Sequence, residues 1–215
     1  MALTLYYLSG SPYAWRVWLA LEHKSLPHDI VSMSYDADDF RKPDFVALNP
    51  RRRVPVLVDV GFALYESSAI VEYIEDKWPD RPRLFADNHQ QRALQRRMVR
   101  EADQYFATPL EHLVEAVLFT PAERQEPARV ASAWAEMKAE LASWEPAILG
   151  DYLAGNLSAA DFALFPLIAL GRRIAQRNPG LVSGDLTGPR LGAWLSRMEA
   201  LPVVTKTWPP HWRPK

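Results

Sequence analysis

The chain of 215 residues contains no cysteine. Disulfides, thiolate metal sites and a protein-derived sulfur nucleophile are therefore excluded. Any thiol chemistry must use a thiol that a ligand brings. An excess of charge of one sign is lacking too: 25 Lys and Arg stand against 26 Asp and Glu, for a net charge of −1. No bulk electrostatic case exists for nucleic acid or an anionic membrane. The triplet Arg51-Arg52-Arg53 is too short to change that and reads as a solvated turn. The 5 His (23, 28, 89, 112, 211) are scattered and form no HxxxH or HExxH pair, so no metal site is expected. Long hydrophobic runs are missing as well. Ala159 to Leu170 is interrupted by Asp161 and is too short to span a bilayer. Met1-Ala2-Leu3-Thr4 lacks a basic n-region, so no secretory signal is read and a cytoplasmic location is expected. No internal repeat or low-complexity segment appears.

What is there is an ordinary globular composition, 48% hydrophobic and 24% charged. The length suits one large domain or two small ones. Leu3 to Leu8 is apolar, short and ended by Ser9-Gly10-Ser11-Pro12, which predicts a buried strand. Tyr13 to Lys24 carries Trp15, Trp18, Leu19 and Leu21 at helical spacing, with Pro12 suited to the first helical position. A second strand is expected near His28 to Met33, and a short helix over Pro43 to Leu48, stopped by Asn49-Pro50. Val54 to Asp59 and Phe62 to Tyr65, split by Val60-Gly61, read as a hairpin. Ser67 to Trp78 reads as a helix that ends at Pro79. This order predicts a small α/β domain with a mixed sheet over residues 1–80.

Residues 81–87, with Asp80-Arg81-Pro82-Arg83 leading in, read as the linker. Beyond it, His89 to Phe119, Ala122 to Leu149, Ala159 to Arg177 and Leu191 to Ala200 have helical patterns, so 88–215 is expected to be an all-α bundle. Ser158 and Asp161 form a capping box in its Asp form, with Leu157 and Phe162 set to staple across it. That is a folding device worth about 1 kcal/mol, not a site.

Three places carry chemistry. A proline at the mouth of an apolar strand (Val54-Pro55), followed by an acidic residue and serines at a helix start (Glu66-Ser67), displays backbone groups beside hydroxyls, as a small peptide-like ligand would need. Val54 is biased to an extended conformation by Pro55. A cis bond would turn its N–H and C=O outward; a trans proline at a strand start is the alternative. Ser67 and the free N–H groups of its helix suit a carboxylate, and Glu66 suits an ammonium; plain capping is the alternative. Ser11, at the start of the first helix, either caps it or offers its hydroxyl to a ligand, and spacing alone leaves these even. Ser9 and Tyr13 are nearby hydroxyls, while Tyr6 and Tyr7 read first as core.

Together these pieces resemble the glutathione transferase family, over the whole chain. Val54-Pro55 is similar to the family's cis-proline, Glu66-Ser67 to its γ-glutamyl-binding pair, and Gly155 through Asp161 to the buried capping box of its helical domain. Ser11-Pro12-Tyr13-Ala14-Trp15-Arg16-Val17 looks like the active-site turn of the serine-type classes, nearest to tau and zeta. The resemblance implies a thioredoxin-like N-terminal domain, an all-α helical C-terminal domain, and glutathione as co-substrate with no metal. Ser11 would then hold the thiolate, helped by the helix N-terminus. Val54 and Pro55 would pair the cysteinyl backbone. Glu66 and Ser67 would take the γ-glutamyl end, and Arg53 or Arg52 the glycyl carboxylate, with solvated surface arginines as the alternative. Tyr13, Trp15, Tyr105, Leu110 and Trp208 would line the site of a small hydrophobic electrophile. A homodimer with a detoxification role is implied. The alternatives are a zeta-like isomerase, a glutathione peroxidase or disulfide reductase, and a non-catalytic binding protein. Ser-Pro-Tyr in place of the zeta class's Ser-Ser-Cys counts against the first of these.

Overall fold

Alternation along β1 (Leu3–Tyr7) sets the first layer. In the computed structural model of the chain, which describes residues 3–148, 150–180 and 185–212, Leu3, Leu5 and Tyr7 are buried and Thr4 and Tyr6 are half-buried. α1 (Pro12–His23) follows, then β2 (His28–Ser32), a 3₁₀ turn at Asp39–Arg41, α2 (Pro43–Leu48), β3 (Val56–Asp59), β4 (Phe62–Tyr65) and α3 (Ser67–Lys77). The strand order is β2-β1-β3-β4. β1 runs parallel to β2, with Leu5 opposite Ile30, and antiparallel to β3, with Leu5 opposite Leu57. β3 and β4 form the expected hairpin, Val56 opposite Tyr65. Val60 and Gly61 both take positive φ at its tip, 49° and 86°, as a two-residue primed turn requires.

The pleat divides the sheet's side chains between two faces. Met33, Phe40, Phe45 and Val56 cluster on one, joined by Tyr6, Leu8, Val54, Val58 and Tyr65. Tyr7 lies with its ring edge-on to Trp18 of α1 at 5.2 Å. α1 and α3 pack together, and Ala14, Val17, Ile70 and Ile74 are among the fully buried residues.

A buried ion pair ties this layer to the segment after α3. Lys24 Nζ lies 2.7 Å from Glu75 Oε2 and donates to the Trp78 carbonyl at 3.0 Å. Glu75 also accepts from Arg83 Nε at 2.5 Å and from the Leu84 N–H at 3.0 Å. Residues through Phe85 accordingly belong to this unit.

The second unit, Ala86–Ala200, is helical. α4 (His89–Glu101) and α5 (Ala107–Val114) are joined by a widened π turn, Ala102–Phe106, and a second π turn, Glu115–Phe119, ends the stretch. α6 spans Pro127–Trp144, α7 Ala159–Arg177 and α8 Pro189–Glu199. The expected helix from Ala122 to Leu149 is shorter than read. Ala122–Arg124 is a 3₁₀ turn, and Gln125 spends its amide on the Val117 and Thr120 carbonyls at 3.0 and 3.2 Å. Pro127 then opens α6 at a position where its missing N–H costs nothing. Leu149 lies outside the described residues.

α7 is buried over most of its circumference, as a central helix must be. Its capping box is formed: Asp161 accepts from the Ser158 N–H at 2.8 Å and from the Ser158 hydroxyl at 3.1 Å. Asp161 also accepts from the Leu153 N–H and from Trp194 Nε1, each at 2.9 Å. Burial pushes its carboxyl up to about 6, against the pull of these donors.

A further helix, α9 (Pro202–Thr207), follows α8, beyond the last helical pattern read from the sequence, which stops at Ala200. It and the described residues after it, through Trp212, group with the first unit, which runs to Phe85 and resumes at Leu201. This differs from the sequence-based limits of 1–80 and 88–215. The physical reason is contact: Trp15 Nε1 donates to Thr207 Oγ1 at 2.8 Å, and Lys206 pairs with Glu22 at 2.6 Å. Among the described residues no helix is long and apolar enough to cross a membrane.

Candidate functional site

The turn that enters α1 presents hydroxyls. Ser11 is the N-cap, with φ −70° and ψ 116°, and its Oγ accepts from the Ala14 N–H at 3.3 Å. Accepting leaves the hydroxyl hydrogen available, so capping and donation to a ligand are compatible. Ser9 Oγ lies 2.7 Å from His211 Nδ1. Tyr6 packs against Phe45 of α2, centroids 5.7 Å apart. Tyr7 is 2% exposed and burial raises its phenol. Hydrogen-bonding contributions from the Ser9 side chain and the Gly10 backbone pull the other way, although among the described residues none meets full hydrogen-bond geometry to its hydroxyl.

The Val54-Pro55 bond is cis. Val54 lies ahead of Val56, where the registered pairing of β3 begins, so its backbone stands outside the ladder. Asn49, 2% exposed, holds the preceding loop: its amide donates to the Arg53 carbonyl at 2.7 Å and its Oδ1 accepts from the Arg51 N–H at 3.0 Å. The side chain of Arg53 is exposed.

Glu66 has φ 71° and ψ 108°, a conformation that L residues rarely adopt. Such backbone costs on the order of 1–3 kcal/mol and clusters at ligand-binding positions. Its carbonyl accepts the Ile70 N–H at 2.9 Å, its side chain makes no cap bond, and the residue is exposed. Ser67, 7% exposed, opens α3 and accepts from Arg16 Nη1 at 3.1 Å. Arg16 is 1% exposed, and its guanidinium carbon lies 5.5 Å from the Tyr13 ring centroid. A buried cation thus stands at the N-terminus of α3. In the sequence Arg16 stands out only as part of the Ser11–Val17 motif. The signal it carried was a charged residue on the apolar face of α1, between Trp15 and Val17.

The acceptor-lining candidates fall in separate units. Tyr13, Trp15 and Trp208 are in the first, Tyr105 and Leu110 in the second. Trp15 is fully buried and packs edge-to-face on Trp208 at 5.3 Å and on Trp212 at 5.7 Å. Its indole anchors the tail. Leu110 is 2% exposed and faces Gly171 of α7, so it too belongs to the core. Tyr105 is 59% exposed on the first π turn and borders a cavity of about 450 Å³ with Arg97, Glu101, Glu140 and Trp144. Among the described residues no cluster of His, Asp and Glu is placed to hold a metal ion.

Residues 10–77 match the family model described as Glutathione S-transferase, N-terminal domain. The chain is 31% identical over 211 residues to Glutathione S-transferase 3 of Zea mays, covering 95% of this chain and 92% of that one. It is 42% identical to maleylacetoacetate isomerase of Pseudomonas aeruginosa over 100 residues, 45% of each chain. Among solved structures it is similar to the theta class glutathione S-transferase of Xanthomonas axonopodis pv. citri with glutathione bound. There the TM-score is 0.82 at 25% identity, over 96% of each chain. Identity sustained along nearly the whole of both chains, on a thioredoxin-like sheet followed by a helical region, shows that this chain belongs to the glutathione S-transferase family of enzymes.

Proposed function

We propose that the protein conjugates the glutathione thiolate to a small hydrophobic electrophile. The observation that carries this is the Arg16–Ser67 contact beside the strained Glu66. It sets a buried cation and the N-terminus of α3 beside an exposed carboxylate; in this reading the first pair takes the γ-glutamyl carboxylate and Glu66 takes its ammonium. In this reading the backbone of Val54, ahead of Pro55, pairs with the cysteinyl residue as an added strand. Arg53 meets the glycyl carboxylate.

The Ser11 hydroxyl donates to the sulfur, and the N-terminus of α1 adds partial positive charge. Both favour the thiolate of a thiol whose ordinary pKa is about 8.5. The thiol proton leaves to solvent. The thiolate pair forms a carbon–sulfur bond, and the displaced group departs with its bonding pair. The rate comes from thiolate stabilisation and positioning. In this reading the helical unit, Ala86–Ala200, selects the acceptor, and Tyr105 is the most exposed member of the lining set. Homodimer assembly and a cytoplasmic detoxification role complete the proposal.

Retention on immobilised glutathione, followed by turnover of a chlorodinitrobenzene-type acceptor, tests it. Full turnover by Ser11→Ala with every acceptor tried would remove Ser11 from the mechanism. The likeness to a maleylacetoacetate isomerase favours a second reading, isomerisation of a cis-enediketone. Assay of such a substrate beside the displacement acceptor separates the two.

A further inference from the structure

Residues 207–212 are pinned onto the hydroxyl turn. Trp208 and Trp212 both pack edge-to-face on Trp15, and the Trp212 N–H closes a last turn on the Pro209 carbonyl at 2.9 Å. Thr207 holds the same indole through its N–H. This anchoring fixes where His211 falls. Its Nδ1 is 2.7 Å from Ser9 Oγ, and its ring lies on the backbone of Gly10. A Cβ on Gly10 would stand 3.0 Å from His211 Cε1 and 3.3 Å from Nε2. Gly10 also has φ +87°, which disfavours any side chain there.

Ser9-Gly10-Ser11 is a turn with little rigidity of its own, because glycine restricts the backbone least. Its local bonds are the Ser11 N–H to the Leu8 carbonyl at 3.0 Å and the Ser11–Ala14 cap. Ser9, Gly10 and His211 add a hold from 202 residues away in sequence. Donation to a sulfur depends steeply on where the hydroxyl points, since a misplacement of about 1 Å can cost about 10²-fold in rate.

We propose that His211 is a positioning residue for the thiol. The C-terminal strap clamps the Ser9–Ser11 turn, so that the Ser11 hydroxyl and the N-terminus of α1 stay aimed at one point. The proposal rests on Ser11 being the thiol donor.

Asn at 211 places an amide where Nδ1 lies; Gln places one nearer Nε2. His211→Ala should lower kcat with a displacement acceptor about tenfold, and the KM for glutathione should change less than about threefold. The ultraviolet band of bound thiolate at fixed pH should weaken in step. His211→Asn should restore most of both, and His211→Gln should not. Ser9→Ala should lose as much as His211→Ala, and the double variant should be no worse than either single. Wild-type kcat and thiolate band in His211→Ala would overturn the inference. So would equal rescue by Gln and Asn, or losses that multiply in the double variant. If the Ala variant does not fold, the Asn and Gln pair decides by the same criterion. Calorimetry of wild type with glutathione comes first. No binding there would bring down the proposed function and this inference with it, whereas binding and turnover unaffected at 211 bring down the inference alone.

Discussion

Arg16 Nη1 donates to Ser67 Oγ at 3.1 Å, with both side chains almost wholly buried. The contact joins the first turns of α1 to the start of α3, the two helix ends on which the proposed glutathione grip depends. Arg16→Met should raise the Kd for glutathione about tenfold or more by removing that charge. It should also cost about 1–3 kcal/mol of stability, since Ser67 is left buried without its donor. Calorimetric titration and urea unfolding read the two effects separately. Unchanged affinity would show that the cation serves the fold alone.

Ser11 has two duties that substitution can separate. Ser11→Ala loses both, so kcat should fall about 10²-fold or more and stability by about 1 kcal/mol. Ser11→Asp keeps a capping acceptor but sets a negative charge beside the sulfur. Its thermal midpoint should match wild type while turnover stays as low as in the Ala variant. An active Asp variant would contradict the donor role.

Glu75 gathers Lys24, Arg83 and the Leu84 N–H around one carboxylate. Burial alone would raise its pKa, but Lys24, the Leu84 N–H and Arg83 outweigh it and hold the group below its ordinary value of 4.5. Its contribution is therefore full above about 4.5 and is lost as pH falls through the lower folded value. Glu75→Gln should cost about 3–5 kcal/mol at neutral pH, because Lys24 remains buried and unmatched. The difference from wild type should shrink on acidification below 4.5, as read by denaturant unfolding over a pH series.

Asp161 behaves in the opposite sense. Its folded value, about 6, lies above the ordinary 3.8, so the folded state binds the extra proton between those limits. The associated stability is complete below 3.8 and is lost as pH rises through about 6. Measured against Asp161→Asn, which does not titrate, wild-type stability should decline by about 2–3 kcal/mol across that window. A flat difference curve would refute the assignment. At pH 7 Asp161→Asn should still be the less stable protein by about 1–3 kcal/mol, since its single oxygen cannot serve both the Ser158 donors on Oδ2 and the Leu153 and Trp194 donors on Oδ1.

The periodic parts of this molecule were legible in its residues. The alternation of Leu3, Leu5 and Tyr7, the Val60-Gly61 turn, the Pro43–Leu48 helix and the Ser158–Asp161 box all appear as expected, because each is decided within a few residues by sterics, turn chemistry or capping. The motif positions Ser11, Val54-Pro55 and Glu66-Ser67 could be singled out for the same reason. The strain at Glu66 could not, because φ there is imposed by where β4 must hand over to α3.

Tertiary structure alone decided the rest. Trp15 carries the helical spacing of a site-lining aromatic, but Thr207, Trp208 and Trp212 claim its indole from the far end of the chain. Arg16 shows its role only when α3 is laid beside α1, and His211 only when the tail is seated on Gly10. No local pattern encodes such pairs. They follow from which surfaces the fold buries together, and a linear sequence does not display that choice.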